Sequence, residues 1–191
     1  FSDGLALARI GEEWHFYNTD FEPVIEVPYA EPFSEGLAQY KESFENWGYI
    51  DTSGEVVIEP QWVQVDAFSD GLAAVYDADG PIGYINRDGE LQIEIEEYYM
   101  GAFADGIAVM RTYYGELYAI DHQGNRVLTD YTIRGYVGEG LVPVEVDGGV
   151  GYATVTGELV IEGPFVRAGS FHEGMAPVTL EGSDLWGHIN R

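Results

Sequence analysis

Four histidines and a few neighbouring glutamates are the side chains of this sequence that could carry acid–base or metal chemistry. The histidines share no His-x-His or His-Glu-x-x-His spacing, which would place imidazoles together on a zinc ion. They are His15, His122, His172 and His188. The pairs Glu12-Glu13 and Glu96-Glu97 are of the residue type that glycoside hydrolysis uses, but a chain with 34 acidic residues contains such pairs by chance. We therefore predict no catalytic residue and no metal site.

Other catalytic and cofactor motifs are missing from the sequence. It has no Gly-x-Ser-x-Gly elbow and no glycine-rich phosphate loop with a lysine. It has no cysteine, which excludes disulfides, thiolate metal ligands and a cysteine nucleophile. Asp77-Ala78-Asp79-Gly80 holds only a fragment of a calcium-binding loop. We expect a protein that is not an enzyme and that binds no cofactor.

Charge restricts the partners of this chain of 191 residues. Its 34 acidic and 8 basic residues give a net charge of −26, which disfavours nucleic acid, because phosphate binding requires clustered positive charge. Cationic proteins or peptides are the expected partners, with weak binding of divalent cations. Hydrophobic residues make up 46% of the chain, so it folds. No apolar run approaches the roughly 18 residues of a membrane span, and we expect no membrane insertion.

An internal repeat of about 34 residues positions these side chains. A Phe-Ser-Asp/Glu-Gly-Leu-Ala motif opens each unit, with its glycine at positions 4, 36, 71, 106, 140 and 174. A second motif, such as Trp47-Gly48-Tyr49-Ile50-Asp51, lies inside each unit, and a turn and a third apolar stretch follow it. The units span approximately 1–32, 33–67, 68–102, 103–136, 137–170 and, as a partial sixth, 171–191. We assign all of them to one domain, 1–191.

Each unit is predicted to be a three-stranded β-meander, because its apolar segments are short, β-branched and bounded by Gly and Asp. In the third unit the predicted strands are 72–76, 82–86 and 91–95. Asp51-Thr52-Ser53-Gly54 suits a type I turn closed by a left-handed glycine, so the second and third strands should form a hairpin. Pro143 and Pro177 predict that the first strand is an edge, since proline donates no ladder hydrogen bond.

The expected fold is therefore all-β: a tandem array of five full units and a partial sixth, curved into a solenoid or a propeller-like ring. Each unit should bury its apolar face against the next. The predicted core and turn residues are Trp14, Trp47, Trp186, Phe33, Phe68, Phe103, Phe171, Gly36, Gly71 and Gly106. The tryptophans could alternatively stack on sugar rings, but aliphatic residues replace them in other units, which favours a packed core.

A row of acids precedes the repeated glycines. Its members are Asp3, Glu35, Asp70, Asp105, Glu139 and Glu173. These carboxylates could together hold cations, but we expect each to cap its own turn through a side-chain to backbone hydrogen bond.

The repeated motifs resemble those of the WG-repeat family of bacterial β-repeat proteins. The resemblance rests on the Trp-Gly-Tyr-Ile-Asp core, the glycine-containing turn, the Val-Ile-x-Pro strand and the Phe-Ser-Glu-Gly-Leu-Ala opening, and residues 33–62 match it most closely. It implies a β-repeat fold, and it supplies no catalytic residues for this sequence.

Two functions follow as expectations. The first is a non-catalytic, acidic scaffold or binding module for protein, peptide or cationic partners. The second is a self-assembling structural protein, a homo-oligomer or filament joined head to tail through the incomplete sixth unit, where Trp186 should be less covered than Trp47. The chain opens without Met, so we also expect it to be a segment of something longer.

Overall fold

The computed structural model describes residues 1–42, 46–95, 99–183 and 185–191, and every regular element in these ranges is a β-strand. No helix in the described ranges is long and apolar enough to cross a membrane. The chain divides into two compact units, Phe1–Glu96 and Glu97–Arg191, each of which is described by itself.

The described residues of the first compact unit form eleven strands in three antiparallel sheets. The strands are β1 (Ala6–Ile10), β2 (Glu13–Tyr17), β3 (Pro23–Val27), β4 (Tyr29–Ala30), β5 (Leu37–Lys41), β6 (Trp47–Asp51), β7 (Val56–Trp62), β8 (Gln64–Val65), β9 (Ala73–Asp77), β10 (Gly80–Ile85) and β11 (Leu91–Glu94). The sheet orders are β1-β2-β3, β4-β5-β6-β7 and β11-β10-β9-β8.

In the second compact unit, the residues that the structure describes form nine strands in two antiparallel sheets. The strands are β12 (Phe103–Ala104), β13 (Ile107–Arg111), β14 (Leu117–Asp121), β15 (Arg126–Val127), β16 (Leu141–Val146), β17 (Gly149–Thr154), β18 (Leu159–Ala168), β19 (Met175–Leu180) and β20 (Gly187–Asn190). The sheet orders are β12-β13-β14-β15 and β16-β17-β18-β19-β20.

The predicted hairpins are present. β6 pairs with β7, and the turn between them is closed by Gly54, whose φ is +86° and whose N–H donates to the Asp51 carbonyl at 2.9 Å. The Asp51 carboxylate accepts the Ser53 hydroxyl and the N–H groups of Ser53 and Glu55. These bonds, that from the Ser53 hydroxyl first, lower the pKa of Asp51 and favour its charged, turn-closing form.

The prediction that the first strand of each repeat is a sheet edge holds for β1 and β16, which end their sheets, and is wrong for β5, β9, β13 and β19. The short strands β4 and β8, which precede the next Phe-Ser-Asp/Glu-Gly motif, pair with β5 and β9 and add a fourth strand. Proline is compatible with this additional pairing because the flanking segment donates its hydrogen bond to the proline carbonyl. The Arg134 N–H donates to the Pro143 carbonyl at 2.8 Å, and the Gly169 N–H donates to the Pro177 carbonyl at 2.9 Å.

Each repeat opens with a tight hairpin turn. In the first, Ser2 and Leu5 exchange two backbone hydrogen bonds of 2.8 and 2.9 Å, and Asp3 and Gly4 have φ values of +50° and +80°. Two successive left-handed residues define the type I′ turn, which matches the twist of a β-hairpin and favours Asp-Gly.

The acids of these turns were expected to cap their own turns, but the carboxylates of Asp3, Glu35, Asp105 and Glu139 bond to the next repeat instead. The Asp3 carboxylate accepts the N–H of Gly36, 2.9 Å away in the next repeat, and Glu35 accepts the N–H of Gly71 at 3.0 Å. In the second compact unit the Asp105 carboxylate accepts the Gly140 N–H at 2.7 Å. A left-handed acid projects its carboxylate beyond its own turn, so the bond joins successive repeats.

A pair of aromatic rings forms the other recurring joint between repeats. Tyr49 packs on Phe68 of the next repeat with ring centroids 4.8 Å apart, and Tyr152 packs on Phe171 at 4.9 Å. The Tyr49 hydroxyl also donates to the Asp66 carbonyl at 2.7 Å. Each core cluster accordingly contains residues from two successive repeats, as predicted.

The tryptophans occupy a different place from the core column expected for them. Trp14 and Trp47 are half-buried at the margins of core clusters, and Trp186 is 51% exposed. The reason is position along the strand. Trp47 is the first residue of β6 and Trp186 precedes β20, whereas Tyr49 lies at the centre of its strand and is fully buried.

Candidate functional site

The first compact unit contains a cavity of about 620 Å³ next to the turn between β1 and β2. Its lining combines acidic and aromatic side chains with two bases. The lining residues are Arg9, Glu12, Glu13, Trp14, Glu26, Val27, Pro28, Tyr29, Lys41 and Glu42. We call this cavity the acidic pocket.

The acidic pocket has a surplus of negative charge at its mouth. Its four carboxylates belong to Glu12, Glu13, Glu26 and Glu42, all of which are exposed, and its two cations belong to Arg9 and Lys41. Carboxylates converging on a partly apolar cleft concentrate the negative potential there and attract cations.

Aromatic rings form one wall of the pocket and continue beyond it. The Tyr29 ring lies between the indoles of Trp14 and Trp47, 5.3 Å from each. The Lys41 ammonium lies 4.9 Å from the Tyr29 ring and 4.6 Å from the Trp47 ring. These are cation–π distances, so this wall already holds one alkylammonium group.

Tyr29 is held in its neutral form within this wall. Desolvation first, and the charge of Glu31 second, raise the pKa of the Tyr29 hydroxyl. The hydroxyl donates a hydrogen bond to the Glu31 carboxylate at 3.2 Å. Tyr29 therefore acts as a donor and a ring surface and not as a base.

A second cluster, Glu13, His15 and Glu26, shares Glu13 and Glu26 with the acidic pocket and lies on the face of the sheet opposite Trp14. Glu13 and His15 are two residues apart on β2, and Glu26 stands directly across from His15 on β3, so all three share one face. The Nδ1 atom of His15 is 3.9 Å from Oε2 of Glu26, and one ligand atom from each residue lies within 4.8 Å of the others. We call this set the Glu-His-Glu cluster.

His15 occupies the position that glycine holds in the second, third, fifth and sixth repeats. At Gly48 a Cβ atom would collide with the Ile58 carbonyl oxygen and lie 2.7 Å from the Pro60 nitrogen, because β7 crosses there at a bulge. In the first repeat β2 and β3 pair without a bulge at His15, which leaves space for the imidazole.

The other residues singled out from the sequence are dispersed. Phe33, Phe68, Phe103 and Phe171 are buried in the cores, and Gly36, Gly71 and Gly106 have the positive φ of the opening turns. The His122 ring stacks on Phe103 with centroids 4.5 Å apart. Glu12 and Glu13 line the acidic pocket, whereas Glu96, Glu97 and Tyr98 lie outside the described residues.

Sequence reasoning missed both the pocket and the Glu-His-Glu cluster. The cluster contains a single histidine and combines Glu-x-His on one strand with a glutamate on the next. The available signal was the replacement of a repeat glycine by His15, two residues after Glu13.

A family model supplies the decisive comparison for the repeats. The model described as "WG containing repeat" matches residues 47–77 and 151–183, the segments that hold the Tyr49 and Tyr152 joints. Two segments of the chain therefore match the WG-containing repeat. No curated protein matches the sequence.

Solved structures similar to this chain are distant in sequence. A computationally designed protein, Ika8, is 12% identical, with a TM-score of 0.57 over 100% of this chain and 69% of the designed chain. BamB from Moraxella catarrhalis is 9% identical, with a TM-score of 0.46 over 97% and 70% of the two chains. The WD40 domain of SCAP from fission yeast is 9% identical, with a TM-score of 0.42 over 96% and 66%. The likeness to Ika8 concerns the fold alone, and the other two carry no argument.

Proposed function

We propose that this chain is a non-catalytic, acidic binding module that captures cationic segments of proteins or peptides at the acidic pocket of its first repeat. The scaffold is a tandem array of five WG-type units and a partial sixth, and it serves to present this pocket. The observation that carries the proposal is the pairing of four carboxylates with an aromatic wall that already holds the Lys41 ammonium.

The chemistry of the pocket suits a lysine or arginine side chain. An alkylammonium or guanidinium group gains from a ring face that is shielded from water, and a nearby carboxylate adds a charge-assisted hydrogen bond. Trp14 lines the pocket and offers such a face, and Glu12 and Glu42 are exposed beside it. The net charge of −26 raises the rate of encounter with any cationic partner.

Neutralising the pocket should weaken binding of an oligo-lysine peptide, measured by isothermal titration calorimetry. The double variant Glu12→Gln/Glu42→Gln should bind about three- to tenfold more weakly, because each lost ion pair is partly exposed. The matched control is Glu158→Gln/Glu162→Gln, which makes the same change in net charge at two exposed carboxylates of the second compact unit. The control should bind as the unmodified chain does.

Equally weakened peptide binding in the two double variants would contradict binding at the acidic pocket. It would indicate a diffuse attraction of the peptide to the whole acidic surface. Increasing salt should weaken binding in all variants, since the attraction is screened. A peptide in which every lysine is replaced by glutamine should not bind.

Self-association is a second candidate, favoured by the apolar edge around β20. This strand is the last in its sheet, and Leu185 and Trp186 beside it are 81% and 51% exposed. Edge strands with exposed apolar neighbours recruit further strands. If the chain self-associates, its molar mass measured by light scattering should rise with protein concentration, and Leu185→Asp should lower that mass. A constant monomer mass would exclude self-association.

A further inference from the structure

The Glu-His-Glu cluster has the composition and placement of a metal site. We propose that Glu13, His15 and Glu26 bind one divalent transition-metal ion of the zinc class on the exposed face of β2 and β3. Within the part of the chain that the structure describes, this is the one group of three potential ligands whose donor atoms lie so close together.

The geometry requires only small side-chain movements. Ligand atoms on a tetrahedral zinc ion are about 3.3 Å apart, given bonds of about 2.0 Å, and here they lie within 4.8 Å of one another. The backbone already places all three on one face in register, because His15 pairs with Glu26 and Glu13 precedes His15 by two residues. Rotation of the two exposed glutamate side chains can close the remaining gap.

The histidine distinguishes this cluster from an ordinary acidic patch. Its imidazole is 15% exposed, so the protein holds it in place, and Nδ1 faces the Glu26 carboxylate. The cluster exists in this repeat because β3 leaves room for a side chain where β7 of the next repeat crosses close to Gly48. The repeats with glycine at this position have no histidine ligand there.

The donor set favours a particular class of ion. One imidazole nitrogen and two carboxylate oxygens suit zinc and its first-row neighbours, whereas calcium and magnesium prefer oxygen ligands alone. Three protein ligands leave at least one coordination position for water or for a donor from a partner.

The test is titration of the full chain with zinc chloride, and separately with calcium chloride, by isothermal titration calorimetry. The unmodified chain should bind one zinc ion more tightly than any further ions, and calcium should not displace it. His15→Gln should weaken this first site by about tenfold or more, because a direct ligand is lost. The matched control His188→Gln should retain it.

Two further readouts separate this proposal from the peptide pocket and from misfolding. Glu12→Gln/Glu42→Gln should retain the zinc site, since neither residue is a ligand. In the unmodified chain, zinc should shift the ring nitrogen NMR signals of His15 and leave those of His122 and His188 in place. Equal zinc affinity in His15→Gln, unshifted His15 signals or equal competition by calcium would overturn the proposal.

Discussion

Gly48→Ala is expected to lower the free energy of unfolding by about 3 kcal/mol or more, which is at the severe end for a one-carbon change. The added Cβ would meet the Ile58 carbonyl oxygen and lie 2.7 Å from the Pro60 nitrogen and 2.8 Å from the Glu59 carbonyl carbon. All three obstacles are backbone atoms of β7, so no side-chain rotation can relieve the clash. Urea denaturation followed by tryptophan fluorescence measures the change.

The sixth repeat provides the matched control. Gly187 is the equivalent glycine, and a Cβ there would have no atom within 4 Å. Gly187→Ala should therefore change the free energy of unfolding by no more than about 0.5 kcal/mol. Comparable losses of unfolding free energy in Gly48→Ala and Gly187→Ala would show that the close crossing of β7 is not the reason why Gly48 is needed for stability.

Tyr49→Ala should lower the free energy of unfolding by about 3–5 kcal/mol, the cost of emptying a large buried site. The Tyr49 ring is fully buried and packs on Phe68, and its hydroxyl donates to the Asp66 carbonyl. Burial raises the pKa of this hydroxyl, so it remains a donor across the physiological range. Tyr49→Phe keeps the ring and should cost about 1–2 kcal/mol for the lost hydrogen bond.

Trp186→Ala is the contrasting variant, because the Trp186 side chain is 51% exposed. It should cost less than about 1 kcal/mol. The central tyrosine is assigned here as the main packing residue of the repeat. A larger loss of unfolding free energy in Trp186→Ala than in Tyr49→Ala would contradict that assignment and favour the tryptophan.

Local structure could be predicted from the sequence because it depends on residues that are neighbours in the chain. The left-handed glycines and the hairpin of β6 and β7 follow from turn chemistry at positions such as Asp51 and Gly54. The period of about 34 residues also predicted that successive repeats bury their apolar faces together.

Features that depend on strand register, or on contacts between residues far apart in the chain, could not be predicted in this way. The fourth strand depends on two-residue segments such as Tyr29–Ala30, which are too short to give a periodic signal. The carboxylate of Asp3 reaches Gly36, 33 residues away, and no local pattern distinguishes that bond from a cap on its own turn. The Glu-His-Glu cluster likewise depends on where β3 bulges relative to β2.

The most direct test of the binding module is a two-dimensional NMR titration of the unmodified chain with the oligo-lysine peptide. The four tryptophan indole N–H signals act as internal reporters, because Trp14 lines the acidic pocket and Trp186 is exposed outside it. We predict saturable shifts of the Trp14 indole and of the Arg9 and Glu42 amides, with the Trp186 indole unchanged. Shifts spread evenly over the acidic residues of both compact units, or an unperturbed Trp14, would contradict the account.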